Sequence, residues 1–583
     1  MNAVTAGARG LPARALSARA VAIWTWGGLV LLLAVASLLI YLAGHGATFF
    51  RDDWNFVLMR RGHSLDTFLR PHNGHAVPLH VLAYKGLLET AGLKSYVPFQ
   101  ALSLALHASV GALLFVFARR RVGAAMALAA TAVFAIPGIG GDEVLWPFQI
   151  GFLGSLVAGM GMLLALERRD RRGDLIACAL LLVSLASSGL GAVLAVAAFV
   201  EIVAGGERRQ RLTRVLVVPL GLYALWHLVY GGEVPRELLP ATELTGYVQP
   251  PFKERLFDAP RYVFESAASA LAGATGLERA QGAPLALGAA TLLGIRLARG
   301  GISPRLWALI SLLLAYWVLL ALARGHGYEA PRYVYPGVLF IVLILLESAR
   351  GMRPSPRGLA LVAGATAFIV LGNMGLLRDQ GEGFQRAARD LLPRLTALEL
   401  ARGQVSASFR PAPEAFGTAP DIVAGRYFAA IDNFGSPAPP ASELARQSEA
   451  KRATADATLL RALAIRAVPT ARPAREKRPP QLLGAQGGSA RAERGCVVLR
   501  PTAARAPVEL RLSAPALVVT TRSGGPLELR ARRLADSFGA PFATVPGGRR
   551  AVLGFPRDRL RRPWELQLGA DRVVSACAGK EAG

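Results

Sequence analysis

The sequence predicts an α-helical polytopic membrane protein of about eleven transmembrane helices, followed by an extracytoplasmic C-terminal region that ends in a small β-sandwich. Three observations carry this. The 583 residues are 53% hydrophobic, with mean hydropathy +0.38, too apolar for a soluble chain of several domains. The net charge of +27 is gathered in short Arg clusters between apolar runs, the topology signal of a multi-pass protein. After Leu377 no further run of spanning length occurs, and short β-type runs follow one another from Cys496 onward. A nucleic-acid partner is excluded on pattern, because aromatic residues are not interleaved with the basic clusters. Arginine far outnumbers lysine beside abundant Ala and Gly, as in a GC-rich bacterial coding bias. The expected location is a bacterial cytoplasmic membrane.

A spanning helix needs roughly 20 apolar residues. Residues 1–20 read as a cytoplasmic tail and 21–377 as the membrane domain, with spans expected at 21–44, 98–118, 122–137, 148–166, 175–188, 190–204, 214–230, 282–298, 305–322, 334–348 and 358–377. The clusters "RRR" (119–121), "ERRDRRGD" (167–174), "GERRQRLTR" (206–214), "ARGGISPR" (298–305) and "ARGMRPSPR" (349–357) then all fall on the side of the N-terminus. This parity needs 175–204 to be two helices. As a single helix it would measure about 45 Å at ~1.5 Å per residue, so a turn at "SSGLG" (187–191) is expected. The first span is long for a cleaved signal peptide and lacks a convincing cleavage site, so it reads as a retained anchor.

Beyond the last span, 378–494 is expected to be a helical and linker region: an amphipathic helix over 379–402, Pro/Ala-rich loop with short helices over 411–450, a helix over 451–467 and a polar linker over 468–494. Residues 495–583 carry seven β-type runs between turn signals, as a β-sandwich does. Cys496 opens the first run and Cys577 closes the last. Outside the cytoplasm they are candidates for a disulfide.

The chemistry lies in the loops expected outside, 45–97, 138–147, 231–281 and 323–333. "FFRDDWNF" puts Asp52 and Asp53 among aromatic residues directly after the first span. A carboxylate held at such an edge is partly desolvated and becomes more basic, as general-base catalysis requires. The bland alternative is a helix cap with an interfacial Trp anchor. His72, Asn73 and His75 follow in "RPHNGH", and the second loop adds an acidic pair, Asp142 and Glu143, in "GIGGDEVLWP". "ARGHGYEAPRY" adds Arg324, His326, Arg332 and Tyr333. Arginines on this side run against the positive-inside bias. They call for a local partner such as a lipid phosphate, which Arg holds bidentately, or for acids such as Glu329.

This layout resembles the GT-C membrane glycosyltransferases, among them protein O-mannosyltransferases, aminoarabinose transferases and arabinosyltransferases. It rests on an acidic pair after the first span, a second acidic pair in the next external loop, and a basic loop late in the bundle. "RDDW", "WPFQIGFLGS" and "PRYVYPG" are similar to stretches in bacterial members. The resemblance covers residues 1 to about 377. It implies transfer of a sugar, with inversion, from a polyprenyl-phosphate carrier to an extracytoplasmic glycan, lipid or protein. The family's base maps onto Asp52 or Asp53, and Arg324 and Arg332 would face the carrier phosphate. Some members bind a divalent metal such as Mg or Mn. Asp142 and Glu143 are the candidate ligands here, with His72 or His75 able to add an imidazole.

Two other functions compete. A transporter or flippase of lipid-linked glycan would place ionisable residues at mid-membrane along a path, whereas here they gather at the ends of spans. A non-catalytic scaffold whose sandwich binds glycan would not bring Asp52, Asp142 and Arg332 to one cavity.

Overall fold

The computed structural model describes residues 18–579, apart from 207, 233–249, 300–301, 325–329, 413–418, 471–478, 504–505, 513, 523–525, 557 and 561. All eleven expected stretches are helical within the described residues. Among the described residues seven helices are long and apolar enough to cross a membrane, from Ile23–Gly44 to the helix beginning at Pro356. Ala124–Ala135, Leu190–Ala204 and Gly282–Ile295 are shorter apolar helices. The thirty-residue run is indeed split, into Arg171–Ser187 and Leu190–Ala204. The turn is tight because Gly189 packs against His75, where a Cβ would come within 2.6 Å of the ring Nδ1.

Five Arg-bearing connections meet at one end of this bundle. Arg121 pairs with Glu167 at 2.8 Å and with Glu347, and Arg305 pairs with Glu201 at 2.7 Å. Arg211 pairs with Asp174 at 2.8 Å and donates to the Leu166 carbonyl. The arginines of these connections meet acids of one connection, Glu167 and Asp174, and of two neighbouring helix ends, Glu201 and Glu347. The charges that set topology also neutralise one another where they are buried, which removes the penalty of an unpaired buried ion.

Three expectations need correction. The loop at 231–281 contains a 24-residue helix, Phe252–Thr275, which packs on the helices at 282–299, 304–324 and 331–348. Its charged N-terminal half kept it below any hydropathy threshold, and Ala259, Tyr262, Ala268, Ala270 and Ala272 form its buried stripe. The boundary at 377 falls inside one continuous helix, Pro356–Leu400. The linker at 468–494 is part of the sandwich, since strands already occur at Ala467–Pro469, Gln481–Ala485 and Gly488–Glu493. The helix expected over 451–467 lies at Glu449–Ala462.

Eleven strands build the C-terminal domain: β1 (Ala467–Pro469), β2 (Gln481–Ala485), β3 (Gly488–Glu493), β4 (Cys496–Pro501), β5 (Ala506–Arg511), β6 (Ala516–Thr521), β7 (Leu527–Arg532), β8 (Ala543–Val545), β9 (Arg550–Gly554), β10 (Glu565–Ala570) and β11 (Val574–Gly579). One antiparallel sheet runs β1-β9-β6-β11-β4-β3 and the other β2-β5-β10-β7-β8. Strand β7 shows why they face each other: Leu527, Leu529 and Ala531 are buried while Glu528, Arg530 and Arg532 alternate outward, the period of a half-buried strand. Leu499, Leu517 and Leu553 of the first sheet share a core with Leu510, Leu529 and Leu566 of the second, and with Leu400 and Leu459 of neighbouring helices. Asp456 fastens the Glu449–Ala462 helix to the sheet by accepting from the amides of Arg533, Leu534 and Ala535.

Cys496 and Cys577 are bonded and stand opposite each other on β4 and β11. They close a loop of 81 residues, and native disulfides of this kind typically contribute about 2–4 kcal/mol, with about 4.5 kcal/mol the chain-entropy value for such a loop. Replacing both by Ala should therefore lower the protease resistance of the 467–579 domain by a free energy of about that size, read by pulse proteolysis. The helical bundle should keep its own cleavage threshold.

Candidate active-site cleft

At the end of the bundle away from the ion pairs, one cleft of about 130 Å³ is lined by Asp52, His72, Asn73, His75, Arg332 and Tyr333. His80, Gln149, Ser187, Ser188 and Tyr316 complete its polar lining. Phe148, Leu190, Val193, Leu319 and Leu320 supply apolar wall.

The two adjacent aspartates separate here. Arg51, just before the helix Asp52–Met59, has φ 44 and ψ −109, a strained conformation for a residue with a Cβ. The turn drives Asp53 inward, and the helical step of about 100° per residue leaves Asp52 facing the cleft. Asp53 is fully buried. Its Oδ1 accepts from the Tyr84 hydroxyl at 2.7 Å, and its Oδ2 from the Phe50 amide at 2.8 Å, the Tyr96 hydroxyl at 2.8 Å and the Trp146 indole at 3.2 Å. Burial raises its pKa to about 6 against the pull of these four donors. Asp53 thus ties four segments together and does not reach the cleft.

Asp52 is 38% exposed at its side chain, and its Oδ2 lies 3.9 Å from His72 Nε2. That is a charge contact, too long for a hydrogen bond. Burial works against its ionised form, but His72, Arg332 and Arg51 outweigh it and hold the carboxyl below the usual carboxylate range. The expected gain in basicity is therefore not found at Asp52, because desolvation at this rim comes together with cations.

His72 and His75 owe their places to a tight turn. They exchange backbone hydrogen bonds of 3.1 and 3.0 Å across Asn73 and Gly74, whose φ values are 49 and 79. This is the double left-handed geometry that Asn-Gly favours in two-residue hairpins, and directly opposed residues present side chains on one face. Arg60 holds the base of the hairpin by donating to the carbonyls of Thr67, Arg70 and Pro71.

The second acidic pair lies close by but does not line the cleft. Asp142, raised to about 6 by burial, is opposed by the charges of Arg332 and Arg51. Glu143 is fully buried, with neither oxygen hydrogen-bonded, and burial holds its carboxyl protonated well above the carboxylate range. Among the described residues no group of three or more His, Cys, Asp or Glu side chains converges as a metal site would require. Among the described residues Asp142 and Glu143 meet no third such side chain. His326, Glu329 and the side chain of Arg324 lie outside the described residues.

Two contributors escaped sequence reasoning. His80 lines the cleft with Nε2 buried and unpartnered. Burial, with the charges of His72 and Arg60, pushes its pKa down to about 3, so the ring is neutral. Gly151 lets it sit close, since a Cβ there would come within 2.8 Å of His80 Nδ1. The other contributor is the region after the last span. Tyr427 packs against Trp54 at 5.8 Å, Arg61 donates to the Arg426 carbonyl at 2.6 Å, and Asp421 is near enough to feel the charge of Asp52.

No protein-family model matches the chain, and no curated protein matches it. Among solved structures it is similar to ArnT from Cupriavidus metallidurans in the apo state, with TM-score 0.44 and 15% identity over 73% of this chain and 91% of that one. The same protein bound to undecaprenyl phosphate gives 0.42 and 14%, over 66% and 82%. The arabinofuranosyltransferase AftD from Mycobacteria gives 0.35 and 11%, over 97% of this chain and 62% of that one.

The division of labour between the aspartates is open to test by stability alone. Asp53→Ala leaves four buried donors without an acceptor, at roughly 1–3 kcal/mol for each that stays unsatisfied. It should lower the midpoint of thermal aggregation of the purified protein sharply. Asp53→Asn retains an acceptor and should lose far less, while Asp52→Ala should melt like the parent.

Proposed function

We propose that the protein is a GT-C-type glycosyltransferase that moves a sugar from a polyprenyl-phosphate carrier to an acceptor hydroxyl, with inversion at the anomeric carbon. The observation that carries this reading is that Asp52 and Arg332 face one cleft whose lining passes from polar to apolar. A carboxylate opposite a guanidinium, beside an apolar wall, matches the three demands of the reaction. It needs a proton acceptor, a phosphate anchor and room for a lipid.

The acceptor oxygen attacks the anomeric carbon as the bond from that carbon to the phosphate oxygen breaks. The bonding pair leaves with the polyprenyl phosphate, and the acceptor's proton passes to the carboxylate of Asp52. Arg332, with Arg51 beside it, stabilises the charge that grows on the departing phosphate. Asp52 is a weak base, so it accepts its proton late, once the hydroxyl has become acidic in the transition state. His72 holds that carboxylate in place. His75, Asn73 and the neutral His80 offer ring and amide groups to sugar hydroxyls. Leu190, Val193, Leu319 and Leu320 form the wall along which the polyprenyl chain lies. Asp142 sets the charge balance around the two arginines.

Asp52→Asn keeps the size and loses the proton acceptor. Transfer from a polyprenyl-phosphate sugar by reconstituted enzyme should fall by about 10²–10⁴-fold with donor binding retained. Arg332→Ala should weaken donor binding as well as turnover, since the phosphate is present before and after transfer. Because Asp52 stays ionised through the ordinary carboxylate range, activity should show no acid limb assignable to it above roughly pH 4. If both variants transferred sugar at the parental rate, the reading would be wrong.

A further inference from the structure

A second cavity, of about 400 Å³, opens at the opposite end of the bundle. The helices Pro304–Arg324 and Pro331–Ser348 run between the two: the first begins at this cavity and ends at the cleft, and the second does the reverse. Eighteen residues of helix separate Arg332 from Arg350, about 27 Å at ~1.5 Å per residue, close to the thickness of a hydrocarbon core. The cavity therefore lies at the other membrane face.

Its lining is unlike a solvated basic loop. Arg120, Arg121, Arg169, Arg305 and Arg350 border it, and the acids in reach are Glu167, Glu201 and Glu347. Two positive charges are in excess, and Arg169 has no carboxylate within ion-pair distance among the described residues. The second observation concerns the floor. Arg305 is 6% exposed and spends Nη2 on Glu201 and on the Leu163 carbonyl, leaving Nη1 buried and without an acceptor among the described residues. Beside it Glu201 Oε2 is buried and has no donor among the described residues. Buried polar groups of this kind are normally satisfied.

We propose that this cavity binds a phosphate ester carrying a hydroxyl or ammonium group next to the phosphate. The phosphate oxygens meet Arg305 Nη1, Arg169 and Arg350, as guanidinium groups favour, and the neighbouring donor meets Glu201 Oε2. A glycerophospholipid headgroup at the membrane surface and a soluble phosphate ester share this chemistry.

The test uses the purified full-length protein, titrated with phosphatidylglycerol or with phosphatidylcholine and read by native mass spectrometry, with glycerol 3-phosphate as competitor. Arg169→Gln with Arg350→Gln removes two exposed arginines of the rim. Arg172→Gln with Arg209→Gln removes two exposed arginines elsewhere at the same end. Phosphatidylglycerol should be retained over phosphatidylcholine, and the rim pair should weaken it by roughly 10–30-fold, as expected for two arginines at a membrane surface. The control pair should change it little. Strong competition by glycerol 3-phosphate would identify the soluble ester as the ligand, and weak competition the lipid. Equal retention of both lipids without competition, or equal effects of the two pairs, would overturn the proposal.

Discussion

The site depends on one buried carboxylate. Asp53 receives donors from the Phe50 backbone, from Tyr84 on the Pro78–Ala91 helix, from Tyr96 ahead of the second span, and from Trp146 in the next loop. Each donor alone would suffer by being buried, and so would the carboxylate. Together they satisfy one another, and the only arrangement that does so fixes the strained turn at Arg51. Asp52 is then placed by exclusion: with its neighbour committed inward, the helix leaves it one direction, toward the cleft. Rigid placement by a buried network is what a catalytic carboxylate needs, because a loosely held one loses the advantage of orientation.

The bundle separates two kinds of electrostatics. At the end with the Arg-rich connections, cations and acids neutralise each other in a lattice that joins several helices. At the cleft Arg51 lies close enough to Arg332 to feel its positive charge, and Asp52 and Asp142 answer the two arginines. Two half-buried arginines that repel are tolerable if an anion visits between them. The same feature accounts for the lowered pKa of Asp52, so the anchor and the base of the proposed transfer would both follow from one charge arrangement.

Much of this was legible in the sequence, and the failures have physical reasons. Spans were readable because the bilayer demands long apolar runs, and the split at 187–191 was readable because an odd number of crossings would have scattered the Arg clusters. The helix at 252–275 was not, since Lys253, Glu254, Arg255 and Asp258 hide an Ala-rich stripe that only tertiary contact reveals. The early strands were missed because "QLLGA" and "GSARAE" lack the β-branched residues that mark strands. At the site, "HNGH" announced a hairpin by a known turn chemistry and could have been read. Which aspartate faces the cleft could not, because it depends on Tyr84, Tyr96 and Trp146, up to 93 residues away.

The low basicity of Asp52 constrains the chemistry further. A carboxylate held below its ordinary pKa cannot remove a proton from an unreacted hydroxyl, whose own acidity is far weaker. In the proposed transfer it would accept one only after bonding to the anomeric carbon has begun, so departure of the phosphate would lead and proton transfer would follow. Stabilising the leaving group would then fall to Arg332 on the cleft wall, with Arg51 near it. This order also makes sense of His72 at 3.9 Å: it steadies the carboxylate without engaging the lone pair that the acceptor's proton will take. A base made stronger by removing these cations would lose the anchor that lets the reaction begin, which is why a single charge arrangement serves both steps.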